Sequence, residues 1–271
     1  MFFSFPGYFF ALFALLLNFS LSVQAANEES EKRWAAQLRD NIVIGEPIDL
    51  ADGPTTFFSI YSSHTTAQPK GVVILLHGTG AHPDWGDVIH PLRTELPDKG
   101  WATLSIQLPL LPIENEADMK QDFAIKKQVI DASISRINAA IKFLQEKEYT
   151  KITLIAHSFG ALMALNYCQS DATSPPIIST AIVIGTPSYT KTIPLNSPMM
   201  IEKINIPLLD LYGSEDLDNV LQSAKARKYA AIKAGNKRYR QAEIIGANHF
   251  YTGLDDELVT YVSGWLNKNS L

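Results

Sequence analysis

Along this chain, runs of strand length, most of them continuously apolar, alternate with segments in which apolar residues recur every three or four positions. The runs are Thr55 to Tyr61, Gly71 to Leu76, Trp101 to Ile106, Ile152 to Ile155, Ile177 to Ile184, Ile206 to Tyr212 and Tyr239 to Ile245. Runs with no interleaved polar face suit strands buried on both sides of a parallel sheet. Between them lie helical patterns: Asp87 to Leu96, a long segment carrying Ile130, Ile134, Ile137, Ile141 and Leu144, then Ala161 to Cys168 and Leu217 to Ala234. A final helix places Leu258, Tyr261, Val262, Trp265 and Leu266 on one face. The alternation predicts an α/β fold, with a mostly parallel central sheet covered by helices on both faces and a small cap or none. One domain accounts for the chain, with residues 26–69 as lead-in and early strand and residues 70–271 as the core.

The N-terminal end departs from this pattern. Phe2 to Val23 is apolar, the first charged side chain is Glu28, and Val23-Gln24-Ala25 has small residues at the -3 and -1 positions. That arrangement resembles a secretory signal peptide cleaved after Ala25. Its n-region has no Lys or Arg, so an uncleaved N-terminal anchor in the inner membrane is the competing reading. Either way the domain is expected to be exported, into the periplasm if it is cleaved. Glu28 to Arg39 is charged and helix-tolerant and is expected to be a mobile lead-in.

Composition narrows the classes of function. The 271 residues are 46% hydrophobic and 19% charged, as in a globular protein. A formal net charge of -5 with mixed signs offers no basic stripe for a phosphate backbone, so nucleic acid is not an expected partner. The single cysteine, Cys168, has no intramolecular disulfide partner and is expected to be a packing residue. Of six histidines only His77 and His82 lie close together, which is no metal-ligand pattern, and no metal or cofactor is expected.

The candidate chemistry centres on Ala156-His157-Ser158-Phe159-Gly160, between an apolar strand and a helix-forming run. A strand, a sharp turn carrying serine and a helix form the context of a nucleophile elbow, here A-x-S-x-G. Such a turn exposes the Ser158 hydroxyl, and the helix N-terminus behind it aims the Phe159 N–H at a developing anion. A serine N-cap on an ordinary helix would give the same letters. His77-Gly78-Thr79-Gly80 follows the first buried strand, where such hydrolases place a second oxyanion donor, and Thr79 N–H is the candidate. A glycine-rich turn with a structural histidine is its plainer reading.

Two further residues complete an order. Asp216 follows a later strand and His249 follows the last one, so Ser158, Asp216 and His249 run in the Ser, Asp, His order of α/β-hydrolases. A parallel sheet brings the C-terminal ends of its strands to one edge, where all three can meet. Asp210, Glu215 and Asp218 are alternatives for the acid. His157 is expected to point away from the serine as a structural residue, and His64, His82 and His90 to be surface or packing residues. The loop from Pro109 to Glu116 is expected to line the pocket. Gly185 to Asn205 is either a small cap or a surface excursion with one buried turn, and Met199 to Ile201 suggest a partly apolar acyl pocket.

From Lys70 to the C-terminus the chain resembles the α/β-hydrolase superfamily. More narrowly, the stretch Leu75 to Trp85, LLHGTGAHPDW, together with Gly100 to Pro109, GWATLSIQLP, resembles an uncharacterised family of exported bacterial proteins with this fold. The resemblance implies fold and exported location first and activity second. The activity expected is that of a serine hydrolase acting on a small-molecule ester or acyl substrate, with Ser158, Asp216 and His249 as triad. A non-catalytic envelope protein using the fold as a binding scaffold, or an acyltransferase, are the alternatives. Membrane contact is expected only if the N-terminal segment is retained.

Overall fold

The computed structural model describes residues 28–111, 123–170 and 177–269. The expected signal segment and the portion of the Pro109 to Glu116 loop from residue 112 onward lie outside the described residues. A helix α1 (residues 28–39) is followed by β1 (Glu46–Asp52), β2 (Thr55–Ser62), β3 (Gly71–Leu76), α2 (Ile89–Glu95) and β4 (Trp101–Ile106). The chain continues through α3 (Phe123–Glu146), β5 (Ile152–His157), α4 (Phe159–Ser170), β6 (Ile178–Ile184) and α5 (Ser197–Ile201). It closes with β7 (Leu208–Glu215), α6 (Asp218–Lys233), β8 (Tyr239–Asn248) and α7 (Asp255–Asn269).

Eight strands form one open sheet in the order β1-β2-β4-β3-β5-β6-β7-β8. The pairs β1·β2 and β2·β4 are antiparallel, and every pairing from β4 through β8 is parallel. Alternation within β3 divides the core between the two faces of the sheet. Val72, Ile74 and Leu76 join α3 and α4 in one cluster, whereas Val73 and Leu75 join α2 and α7 in the other. Full burial of one such aliphatic side chain contributes about 1.5–3 kcal/mol, so a strand apolar at every position helps fasten both layers. Helix α4 is buried at every position from Phe159 to Tyr167, as a helix must be when it is apolar all round.

At four places the structure corrects, adds to or decides between the expectations. Residues 28–39 are a docked helix rather than a mobile lead-in: Glu31 Oε2 lies 2.9 Å from Arg136 Nη1 on α3, and the Trp34 ring meets His82 edge-on at 5.5 Å. Strand β1 was not anticipated, because EPIDLAD is an edge strand with only Leu50 buried, and little apolar patterning is needed there. On α7, Leu258, Val262, Trp265 and Leu266 are buried as expected, whereas Tyr261 is exposed and Val259 takes its place on the buried face. Gly185 to Asn205 is the surface excursion with one buried turn: its five-residue helix α5 buries Met200 and Ile201 in the core cluster, with Leu195 and Ile204 beside them. Two of the three side chains expected to shape an acyl pocket are therefore packed into the core, and only Met199 is exposed.

Candidate active site

Strand β5 ends at His157, and Ser158 is held at φ 56° before α4 begins at Phe159. A non-glycine residue in the left-handed region costs about 1–3 kcal/mol and persists where its surroundings over-determine it. Here the Ser158 N–H donates to the Ile184 carbonyl at 2.8 Å, and the Ser158 carbonyl accepts from Ala161 N–H at 3.0 Å. Gly160 permits the close crossing behind the turn, since a Cβ there would stand 2.3 Å from the His77 carbonyl oxygen and 2.8 Å from that of Leu76.

Strands β7 and β8 bring the other two residues to the same edge. Asp216 follows β7 directly and His249 follows β8 directly, both buried, while Ser158 is partly exposed. Ser158 Oγ lies 2.9 Å from His249 Nε2, and His249 Nδ1 lies 2.5 Å from Asp216 Oδ1. An ionised carboxylate only accepts, so Nδ1 carries the proton and Nε2 is left free to accept from the serine hydroxyl. Leu217 N–H at 2.8 Å and Gly213 N–H at 3.3 Å also donate to Asp216. Burial opposes the charge on Asp216, but the His249 hydrogen bond and charge together with these two amides outweigh it and hold the carboxyl below its ordinary range.

Of the other acids weighed, Asp210 is fully buried within β7 and committed elsewhere. Its Oδ2 accepts from Arg227 Nε at 2.7 Å, Tyr239 Oη at 2.7 Å and Gln241 Nε2 at 2.9 Å. Glu215 and Asp218 are exposed. Asp216 differs from these neighbours in position: it is the first residue past β7, buried and within hydrogen-bond distance of His249.

The turn after β3 lies against the serine. A Cβ on Gly78 would come within 3.1 Å of Ser158 Cβ. His77 fixes this turn from beneath: its Nδ1–H donates to the Gly78 carbonyl at 2.8 Å, and its Nε2 accepts from Leu108 N–H at 3.0 Å and from Gln107 Nε2 at 3.1 Å. Burial pushes its pKa down to about 3, so the ring stays neutral and this pattern of donor and acceptor is kept. Thr79, next along, is exposed, and its N–H has no hydrogen-bond partner among the described residues. Phe159 is the first residue of α4, so its N–H is one of the four amides a helix leaves without an internal partner. Phe159 thus adjoins Ser158 in the chain, and Thr79 follows the glycine that packs against it.

His157 packs against the candidate base. Its Nε2–H donates to the His249 carbonyl at 2.9 Å. Burial, reinforced by the neighbouring His249, pushes the His157 pKa down to about 4. Gly185, at φ 58°, floors the pair: a Cβ there would stand 3.0 Å from His249 Nδ1 and Cε1 and 3.4 Å from Asp216 Oδ2. The next residue, Thr186, accepts through its carbonyl from Arg227 Nη1 at 2.8 Å. His157 was expected to be structural, whereas Gly185 and Arg227 were not singled out. For Gly185 a signal existed, because a glycine closing the strand beside the elbow strand sits at the edge where the candidate base is expected. Phe250, directly after His249, presents its ring edge-on to the imidazole at 5.2 Å and is partly exposed, as is Leu217 directly after Asp216. Among the described residues no group of three or more His, Cys, Asp or Glu is placed to hold a metal ion.

Solved structures share this architecture. Est1E from Butyrivibrio proteoclasticus is 14% identical, with a TM-score of 0.60 over 83% of this chain and 100% of that one. A dienelactone hydrolase from Anabaena variabilis is 19% identical, with a TM-score of 0.64 over 84% and 98%. An alpha-beta serine hydrolase homologue from Coxiella burnetii is 14% identical, with a TM-score of 0.63 over 82% and 98%. At these identities the likeness establishes the α/β-hydrolase fold. No curated protein matches the sequence. The sequence does match, over residues 18–128 and 114–268, the family described as Protein of unknown function (DUF3530), and the chain belongs to that family.

Proposed function

We propose that this protein is an exported serine hydrolase that cleaves carboxylic esters of small molecules through an acyl-enzyme. The observation that carries the reading is the continuous path from Ser158 Oγ through the His249 imidazole to Asp216, with bonds of 2.9 and 2.5 Å. His249 Nε2 takes the hydroxyl proton as Ser158 Oγ bonds to the substrate carbonyl carbon, and then returns it to the departing alcohol. Water repeats the cycle against the acyl-enzyme, releasing the acid and restoring the serine. Asp216 keeps the imidazole in the required tautomer and stabilises its charged form. The Phe159 and Thr79 N–H groups receive the oxyanion, a contribution of about 3 kcal/mol per donor. Export rests on the apolar Phe2 to Val23 stretch and the small residues before Ala26.

Labelling with a fluorophosphonate tests the reading. Stoichiometric modification of the wild type, lost in Ser158→Ala and in His249→Ala, is expected. A folded wild type that resists both the fluorophosphonate and a smaller sulfonyl fluoride would overturn it in favour of a scaffold without catalysis.

A further inference from the structure

The even mixture of charge expected from the whole chain fails in one place. Residues 219–242 hold seven of its 23 Lys and Arg and none of its 28 Asp and Glu. Arg227 is buried on Asp210, and the other six, Lys225, Lys228, Lys233, Lys237, Arg238 and Arg240, are all exposed. Lys225, Lys228 and Lys233 lie on the outer face of α6 at spacings of three and five, and Lys237 and Arg238 follow in the turn after it; Arg240, on edge strand β8, alternates with Tyr239 and Gln241 and so shares the opposite sheet face with Ala242 and Ile244. Lys233 pairs with Glu202 at 2.6 Å, whereas Lys225, Lys228 and Lys237 have no carboxylate partner among the described residues. On the same helical face stand Tyr229, 68% exposed, and Ile232, 65% exposed. The remainder of α6 is packed, with Val220, Ala224, Ala230 and Ala231 buried.

A solvated helix face has no use for an isoleucine and a tyrosine left in water between lysines. Charge shielding of the β8 edge would account for Arg240, but not for the apolar pair on α6. From this combination we propose that the outer face of α6, continued through Lys237 in the turn that follows it, docks on an anionic phospholipid surface. Lysines reach the phosphates, while Tyr229 and Ile232 enter the boundary between headgroups and acyl chains. A purely electrostatic partner such as a nucleic acid backbone would explain the cations and leave the exposed apolar pair without a role. The proposal is independent of the hydrolase reading, since none of these residues touches Ser158, Asp216 or His249.

The test is sedimentation of the full chain with vesicles of phosphatidylcholine alone and of phosphatidylcholine mixed with phosphatidylglycerol. The Phe2 to Val23 stretch carries no cation, so the difference between the two vesicle types isolates the charged face even where that stretch is retained. Binding should be stronger to the anionic vesicles and fall with added salt. Each lysine neutralised by Gln at 225, 228 or 237 should weaken it about fivefold, equivalent to about 1 kcal/mol. Tyr229→Ala with Ile232→Ala should weaken it too, with circular dichroism unchanged. Equal binding to both vesicle types, or binding undiminished by the lysine changes or by the apolar changes, would overturn the proposal. So would retention of a DNA duplex by this face without any preference for anionic vesicles.

Discussion

The residue before the candidate nucleophile holds the backbone of the candidate base: His157 Nε2–H donates to the His249 carbonyl at 2.9 Å, and the two rings lie 4.8 Å apart. Strand β5 thereby sets where the β8 loop carries its imidazole, across 92 residues of sequence. Replacing His157 by Ala leaves a buried carbonyl unpaired and lets His249 drift from Ser158. Misplacement of about 1 Å can cost about a hundredfold in rate. We expect kcat on a soluble ester to fall between about ten- and a hundredfold with KM little changed, and His157→Gln, which retains a donor, to recover much of the loss. Equal kcat in all three proteins would show that the contact is idle.

Two buried histidines make stability depend on pH. Those at 77 and 157 have pKa values pushed from 6.5 to about 3 and about 4. Between about pH 6.5 and pH 4 the unfolded chain takes up their protons and the folded one does not, so stability falls as pH falls. Each contributes about 1.4 kcal/mol per pH unit in that window, giving about 2.7 kcal/mol per unit together. Asp216, its folded pKa depressed, adds a further loss at lower pH as it protonates. Urea midpoints measured from neutral pH downward should drop steeply below pH 6, and His157→Gln should remove about half of the slope. A profile flat to pH 4 would contradict the neutral, buried state of both rings.

Much of the site was legible because its parts follow strand ends. Ser158, Asp216 and His249 each close a run that reads as a strand, and the parallel order of the sheet brings those ends together. The turn at Gly78 and Thr79 was legible for the same reason. Helix α1 was not, because Glu31 on Arg136 and Trp34 on His82 dock it, and such contacts leave no apolar stripe in a sequence. The supporting shell escaped as well. Nothing local in Arg227 or His157 says that one will fasten the Thr186 turn and the other the His249 carbonyl.

Gly185 is a position where a single methyl group should matter. Its φ of 58° disfavours any side chain, and a Cβ would press on His249 from 3.0 Å. Gly185→Ala should therefore lose activity out of proportion to stability. We expect kcat/KM to fall about a hundredfold while the folded state loses about 1–2 kcal/mol, read from urea titrations. Activity within about twofold of wild type would show that the loop relaxes away from the imidazole without moving it.

The buried pair of Arg227 and Asp210 gives the last prediction. Both side chains are inaccessible to solvent; Arg227 Nη1 also donates to the Thr186 carbonyl at 2.8 Å, to Ser223 Oγ at 2.7 Å and to the Val220 carbonyl at 3.1 Å. Arg227→Met leaves a buried carboxylate with only Tyr239 and Gln241 as donors, so the folded state should lose about 3–5 kcal/mol. Adding Asp210→Asn removes the stranded charge and should restore part of that stability, because an amide can still accept from Tyr239. It cannot restore the bond to Thr186. If that bond fixes the floor beneath His249, the double variant will be more stable than Arg227→Met yet equally slow on a soluble ester. Recovery of stability and rate together would instead assign the pair to folding alone.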